Sequence, residues 1–411
     1  MKNFYKIRIK KWQIMYFFLL LPYFELGSIS ILEQNGIIVF QFLGKLYTLA
    51  RIAIDVYVIA SFFKNKRLPH SKVAIMIIFY CCLGFVIQLF HKSDLISSSL
   101  ALLNNVSLIF LYDRLLGREE EDYLRLISIF FGCLSVVGAW SILSKPYGIN
   151  NSAYIDSAIW VLGAKNGNGV YFLVFLMALL LYRDKMKTRL KIKDYLITLV
   201  FLYCVILCRS ANSTVCIAVV LCYMLYQRFW SEMALLINYR IILLGAGAVV
   251  VYIIAATQFP DIINNVIFTL GKDTNFTGRR ILWEQAIQYF LSNPLFGAGG
   301  DIIYTLSIIK TEPHAHSMYL DSLAKSGIFP CVVFIGMIVA SVNSLDKKEK
   351  VMSTTKLIFA VIFIVHMAFE DLPMPFVIVI FMLIGNKAKY KFGLLSNQSE
   401  RTSKYACKQI S

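Results

Sequence analysis

The sequence predicts an all-α, polytopic integral membrane protein, and three features carry that prediction. Hydrophobic residues make up 58% of the 411 residues, whereas soluble domains contain about 45–50%. They are gathered into runs of about 20 residues, the length that an α-helix needs to cross the hydrocarbon of a bilayer. Lysine and arginine are concentrated in alternate connections between these runs, as in membrane proteins whose basic loops face the cytoplasm.

The apolar runs predict about 12 transmembrane helices. They cover residues 12–32, 36–63, 73–90, 95–112, 123–143, 161–182, 194–208, 211–228, 241–258, 327–343, 355–370 and 375–385. The first run follows a basic segment, as a signal peptide does, but it has no small-residue cleavage motif. We therefore interpret it as an uncleaved first span.

The charge pattern predicts the orientation and excludes one class of function. If the basic connections are cytoplasmic, both termini are cytoplasmic too. The formal net charge of +17 is then explained by topology and by contact with anionic lipid headgroups, so nucleic-acid binding is not predicted. Eight of the nine cysteines lie in or beside apolar runs and none forms a CxxC pair, which indicates small buried residues rather than a redox or metal site.

The connections divide the chain into a membrane domain, residues 1–396, and a polar cytoplasmic tail, residues 397–411. Most connections on the outer side are only a few residues long, but residues 259–327 form a far longer one. A connection of this length is unusual unless it is functional or disordered. We predict that this extracytoplasmic loop carries the catalytic site.

Two short amphipathic helices are predicted in this loop. Apolar residues recur at helical spacing from Arg279 to Leu291, and a second such pattern runs from Met318 to Ala324. Thr277 is the predicted N-cap of the first helix, and Pro294 ends it. Its apolar face is expected to lie in the outer membrane interface.

Three arginines stand out because outward-facing cations are disfavoured by the charge bias. Arg279 and Arg280 begin the first loop helix, where a planar guanidinium and a helix N-terminus both suit phosphate oxygens. Arg209 lies at the outer end of the seventh run, next to hydrocarbon, where a charge is costly. For each, the alternative is an arginine that snorkels to lipid headgroups.

His316 follows a loop and precedes Ser317 and Tyr319, at the start of the second loop helix. Its imidazole can take a proton from a hydroxyl near neutral pH, although an ordinary structural histidine stays possible. His314 lies two residues away with acidic neighbours, but their spacing matches no strong metal motif, so no metal is predicted. Lys165 and Asn166 lie in a glycine cluster that enters a span and could line a polar cavity.

In order, these segments resemble the O-antigen polymerase and O-antigen ligase superfamily. The resemblance rests on TGRRILW at 277–283, NPLFGAG at 293–299, HSMYLDSLAKSGI at 316–328 and CRSA at 208–211. It covers about residues 200–330, with Lys165 and Asn166 as a weaker match. The chain has Ser317 where the family usually has asparagine.

The resemblance implies a glycosyltransferase-C-like membrane enzyme of the bacterial cytoplasmic (inner) membrane. It implies undecaprenyl-diphosphate-linked oligosaccharides as substrates, no cofactor, and a chain-length regulator and a flippase as partners. Polymerases of this family join lipid-linked repeat units, and ligases transfer the finished glycan to lipid A core or protein.

The resemblance also assigns roles. Arg279 and Arg209 would hold the donor diphosphate, and His316 would act as the base. Substrate contacts would come from Arg280, Ser317, Tyr319, Lys165 and Asn166. We prefer a polymerase because the chain is short and its loop compact. A ligase stays open, as does a non-enzymatic flippase, although transporters usually show an internal duplication and none is visible.

Overall fold

A computed structural model describes residues 10–24, 26–34, 38–65, 69, 71–92, 94–150, 158–230, 239–255, 278–306, 311–345 and 349–385. Helices dominate these residues. They are α1 Lys11–Leu20, α2 Gly27–Gln34, α3 Ile38–Asn65, α4 Lys72–Phe90, α5 Leu95–Leu116, α6 Glu120–Ser144, α7 Lys165–Lys185, α8 Ile192–Leu207, α9 Ala211–Trp230, α10 Tyr239–Ala255, α11 Arg279–Ser292, α12 Met318–Ser326, α13 Ile328–Asn343, α14 Lys350–Phe369 and α15 Met374–Ile384.

Two small hairpins modify the all-α prediction. Strand β1, Ile159–Trp160, pairs antiparallel with β2, Gly163–Ala164, and β3, Tyr304–Thr305, pairs antiparallel with β4, Thr311–Glu312. The first hairpin leads directly into α7, and the second leads into the histidines of the loop. Each hairpin therefore delivers predicted site residues to the start of a helix.

Where the chain is described, each predicted apolar run lies largely on helix, but the first run is not one continuous span. A 3-10 turn at Leu21–Tyr23 separates α1 from α2, as expected because Pro22 lacks the N–H that would continue an α-helix. Among the described residues, six helices are long and apolar enough to cross a membrane: α3, α4, α5, α6, α7 and α14. Shorter apolar helices lie at α10, α13 and α15.

These helices are those of a polytopic membrane protein, and the number of twelve spans stays a prediction. Residues 256–277, which include the predicted N-cap Thr277, lie outside the described part of the chain, as does the predicted tail at 397–411.

Helix α7 is the centre of the bundle. It is buried on every side from Asn168 to Leu181, and α15 is buried throughout Phe376–Ile384, as expected for helices that are hydrophobic all round. Helices α6, α8, α9, α14 and α15 pack on α7, and Phe172 stacks on Phe201 with ring centroids 4.3 Å apart. The start of α7 and the end of α14 are thereby held at one end of this core.

The loop helices lie at nearly the predicted bounds, and part of the apolar face of α11 packs on protein. Leu282, Trp283 and Ala286 of α11 are buried in a small core together with residues of α12. Trp283 also lies against Phe369 at the end of α14, with ring centroids 6.1 Å apart. Leu291, at the far end of α11, is exposed.

The glycine-rich turn after α11 is structural. The backbone N–H groups of Ala298 and Gly299 donate to the carbonyls of Ala324 and Lys325, 2.8 and 3.1 Å away, which cap the end of α12. Gly297 has φ +68°, and a Cβ there would lie 2.4 Å from the Lys325 carbonyl carbon. Only glycine permits this approach, so the turn fixes the end of α11 against the end of α12.

Candidate functional site

The predicted site residues converge on a carboxylate that follows α14. Glu370 is buried, and its Oε1 accepts a hydrogen bond from Arg279 Nη2 at 2.6 Å. Arg279 is the first residue of α11, whose N-cap is Gly278 with a left-handed φ of +84°. The helix start therefore points a guanidinium at the carboxylate, and the predicted cap at Thr277 is replaced by the glycine.

A second predicted residue reaches the same oxygen from α7. Asn166 Nδ2 donates to Glu370 Oε1 at 2.7 Å, and Asn166 Oδ1 accepts from Ser210 Oγ at 2.9 Å. Ser210 Oγ lies 3.0 Å from Ser213 Oγ in the first turn of α9. Hydrogen bonds thus join the starts of α7, α9 and α11 to the end of α14.

Arg209 lies next to this network in a strained backbone conformation. It follows α8 with φ +55°, at a position where helices usually place glycine. Its neighbour Ser210 belongs to the network, while the Arg209 side chain is exposed and contacts no other described residue through a hydrogen bond or ion pair. Non-glycine residues in the left-handed region cost free energy and cluster at functional sites.

His316 shares both the strain and the surroundings. Its φ is +51°, and its Nε2 lies 3.9 Å from a carboxylate oxygen of Glu312. Burial and the neighbouring Arg279 guanidinium hold the pKa of His316 below its usual 6.5, against the opposing charges of Glu370 and Glu312. The imidazole is therefore neutral at pH 7 and able to accept a proton.

Four further predicted residues have different surroundings. Arg280 and Lys165 are partly buried at the starts of α11 and α7. Ser317 is fully buried, and its Oγ has no hydrogen-bond partner among the described residues. Tyr319 donates to the Ile364 carbonyl at 3.0 Å. This bond fixes α12 to α14 and gives Tyr319 a structural contact.

A second polar group is formed by His314, Asp321, Asp371 and Lys325. His314 Nδ1 is 3.1 Å from an Asp371 oxygen, and Lys325 Nζ is 2.7 Å from Asp321 Oδ2 and 3.2 Å from His314 Nδ1. Potential ligand atoms of His314, Asp321 and Asp371 lie within 4.8 Å of one another. The Lys325 ammonium already supplies the cation there, so the group is explained without a metal.

Glu370 is the residue that the sequence reasoning missed. The apolar run 355–370 predicts a span that ends at this carboxylate and gives the carboxylate no role. A signal was available, because an acidic residue at the end of an apolar run is costly unless it has a partner. Its partners are 91 and 204 residues away along the chain.

The site combines a guanidinium at a helix start, a neutral imidazole and a carboxylate that neutralises the guanidinium. The first two suit an anionic group and a hydroxyl proton respectively. Enzymes that hydrolyse glycosides typically use a pair of acidic residues, one as the proton donor and the other as the nucleophile or base. Here Glu370 is instead committed to Arg279 and Asn166. The geometry is therefore that of anion binding with one base.

Residues 195–335 match the family model described as O-Antigen ligase. This family covers O-antigen ligases and polymerases, membrane enzymes that transfer glycans. No curated protein matches the chain. The matched segment runs from α8 into α13 and contains Arg209, Arg279 and His316. The match over residues 195–335, about a third of the chain, supports the similarity to the O-antigen ligase and polymerase superfamily that the motifs predict.

Proposed function

We propose that the chain is a polymerase that joins undecaprenyl-diphosphate-linked oligosaccharide repeat units into a surface polysaccharide. The observation that carries this proposal is the convergence of Arg279, Asn166 and the segment after Arg209 on Glu370, with His316 beside them. A glycosyltransferase-C-like architecture and the outer leaflet of the bacterial cytoplasmic membrane are part of the proposal.

In the first part of the mechanism, the two arginines bind the donor diphosphate. Arg279 and the N-terminal N–H groups of α11 face one phosphate, and Arg209 provides a second, exposed guanidinium one residue from the network. Arginine binds phosphate oxygens through two parallel hydrogen bonds. These cations stabilise the negative charge that develops on the leaving diphosphate.

In the second part, His316 activates the acceptor. A hydroxyl oxygen of the acceptor sugar attacks the anomeric carbon of the donor while the bond from that carbon to the phosphate oxygen breaks. The lipid diphosphate leaves with the electron pair, and the hydroxyl proton moves to the imidazole. Attack from the face opposite the leaving group inverts the anomeric carbon. No nucleotide sugar or metal is needed for these steps.

Glu370 fits this mechanism as a positioning residue. It fixes the guanidinium of Arg279 through a short ion pair, and it fixes the start of α7 through Asn166. A guanidinium held in one orientation loses less entropy when it binds phosphate. The Glu370 charge also opposes the effect of Arg279 on His316, which keeps the imidazole basic enough to accept a proton.

An O-antigen ligase is the second candidate, favoured by the description of the matching family model. Deletion of the gene followed by gel analysis of surface glycans separates the two. Single-repeat material indicates a polymerase, and full-length chains left on the carrier lipid indicate a ligase. Repeat units trapped on the inner leaflet would instead reject both in favour of a flippase.

Purified protein provides the direct test. Mixed with lipid-linked repeat units in proteoliposomes, the chain should yield a ladder of longer lipid-linked glycans and release undecaprenyl diphosphate. The ladder should form in EDTA, because the proposed steps use no metal. If the purified protein gives neither longer glycans nor free carrier lipid, the polymerase proposal fails.

A further inference from the structure

A cavity of about 370 Å³ lies beside the candidate site, between α4, α5, α12 and the connection from α14 to α15. This volume is within the range of small-molecule sites, about 300–1,000 Å³. Polar and aromatic side chains line it, among them Tyr80, Gln88, Asn105, Asp321, Lys325 and Asp371. The proposed chemistry at Arg279 and His316 uses none of them.

The cavity and the candidate site share one dipeptide. Glu370 has an extended backbone, with φ −143° and ψ 141°, and successive side chains of extended backbone point in opposite directions. Glu370 accordingly contacts Arg279, while Asp371 lines the cavity. Asp321 and Lys325 reach the cavity from α12, which begins two residues after His316.

The charges at the cavity differ from those at the arginines. Asp321 and Asp371 outnumber the single ammonium of Lys325, and His314 lies among them. Burial and the Asp321 charge raise the pKa of Asp371 to about 6. Burial would also raise the pKa of Asp321, but hydrogen bonds with His314 and Lys325 hold it below its usual value. The lining is therefore negative at neutral pH, and it repels phosphate and carboxylate groups.

The polar groups of the lining suit a sugar. Carboxylates and side-chain amides accept and donate hydrogen bonds to hydroxyl groups, and bonds to an ionised carboxylate are the stronger ones. The ring of Tyr80 adds an apolar surface of the kind on which flat ligands pack. Gly84 of α4 leaves room for such a ligand, because a Cβ there would meet no heavy atom within 4 Å.

We propose that this cavity binds a sugar ring without acidic groups, next to the site where the proposed glycosyl transfer occurs. The inference rests on the proposed function and names the sugar class that this part of the site accepts. Parts of the substrate that differ in charge then bind at different places: the diphosphate at the arginines, and a neutral or amino sugar in the acidic cavity. Repeat units that place a uronic acid at this position are rejected.

The test fills the cavity. A Cβ at Gly84 meets no heavy atom within 4 Å, so Gly84→Leu can extend a side chain into the cavity, and leucine also has the higher helix propensity. Gly245→Leu is the matched control, because a Cβ at Gly245 in α10 also meets nothing within 4 Å and this residue does not line the cavity. Both full-length variants are purified in detergent beside the unmodified protein.

Binding is measured by saturation-transfer NMR with the methyl glycosides of glucose, glucosamine and glucuronic acid. We expect signals from the glucoside and the glucosaminide, and a signal about fivefold weaker from the glucuronide. Repulsion between two like charges about 4 Å apart in water is about 1 kcal/mol, which corresponds to this factor. Gly84→Leu should abolish the glucoside signal and Gly245→Leu should keep it. Asp371→Asn, which removes one negative charge from the lining, should raise the glucuronide signal about fivefold.

Equal binding of glucoside by the Gly84→Leu variant and the unmodified protein would overturn the inference, as would a glucuronide signal as strong as that of the glucoside. The polymerisation assay separates this outcome from failure of the proposed function. If the unmodified protein makes no polymer but binds the glucoside, and Gly84→Leu loses that binding, the polymerase proposal is rejected and the sugar site is kept. Normal polymer from Gly84→Leu would reject the sugar site and keep the polymerase.

Discussion

Removal of the Glu370 carboxylate should slow glycan transfer through its effect on Arg279. The two side chains are 9% and 19% exposed and are joined at 2.6 Å. Removal of one partner of a buried ion pair costs about 3–5 kcal/mol. Because Arg279 keeps some contact with solvent, we take the lower end, about 3 kcal/mol. If that energy holds the guanidinium in its productive orientation, Glu370→Ala should lower the rate about 100-fold.

The conservative variant should be milder. In Glu370→Gln an amide oxygen can still accept hydrogen bonds from Arg279 and Asn166, so only the charge is lost. A hydrogen bond to a charged group contributes about 1.5–3 kcal/mol and a neutral one about 1 kcal/mol. The difference of about 1–2 kcal/mol predicts a rate about tenfold lower than that of the unmodified protein.

The assay is the length distribution and initial rate of polymer formation in proteoliposomes, with insertion checked by protease protection. A double-mutant cycle distinguishes positioning from a general loss of structure. If Glu370 acts through Arg279, the variant with both Arg279→Ala and Glu370→Ala should be no slower than Arg279→Ala alone. The positioning role of Glu370 would be refuted if the rate losses of the two single variants multiplied in the double variant, or if Glu370→Ala had the rate of the unmodified protein.

Three further predictions concern the other groups at the site. Arg209→Ala should lower the rate about 100-fold or more, the usual effect of removing one group that stabilises transition-state charge. Lys187→Ala should leave the rate unchanged; Lys187 is a matched control because it is also an exposed cation that follows a helix, with φ +50°. Equal rates for the two variants would reject the role of Arg209. His316→Ala should lower kcat about 10²-fold or more with little change in the binding of lipid-linked donor, and an unchanged kcat would exclude the imidazole as the base. Diethyl pyrocarbonate reacts with neutral imidazole, so the pH dependence of His316 modification, followed by mass spectrometry, should have its midpoint below 6.5, because burial and Arg279 lower the pKa of His316. Arg279→Gln removes a cation that disfavours the protonated imidazole, so this midpoint should rise. A fall of the midpoint would contradict the placement of Arg279 beside His316.

The helices could be predicted from the sequence because their signals are local. An apolar run of the right length identifies a span wherever it lies, and the helical spacing of Leu282, Trp283 and Ala286 identifies α11. The end of α11 at Pro294 was also predictable, because proline cannot continue a helix. Its first residue, Arg279, is predicted as well, but its N-cap is not, because Gly278 caps it through a left-handed backbone that the sequence does not distinguish from an ordinary turn.

The direction in which the loop helices face could not be predicted in the same way. The apolar stripe of α11 suits a membrane surface and a protein surface equally well. Burial of Trp283 against Phe369 and Ala315 depends on where α14 ends and on the hydrogen bond from Trp283 Nε1 to the Ala315 carbonyl. Both contacts are long-range, so they follow from tertiary packing rather than from the pattern of the helix itself.

The convergence on Glu370 has a physical reason that sequence motifs alone do not express. A guanidinium kept for a phosphate must be stable before the phosphate arrives, and a buried cation without a partner is costly. Glu370 meets that need, and because Asn166 also donates to its Oε1, the carboxylate is held in place while it orients the guanidinium. In the proposed mechanism, a diphosphate bound by Arg279 would therefore compete with a carboxylate that has a second partner of its own. Under the proposed mechanism, this competition would make release of the carrier lipid easier than it would be from an unopposed arginine, as repeated turnover on one site requires.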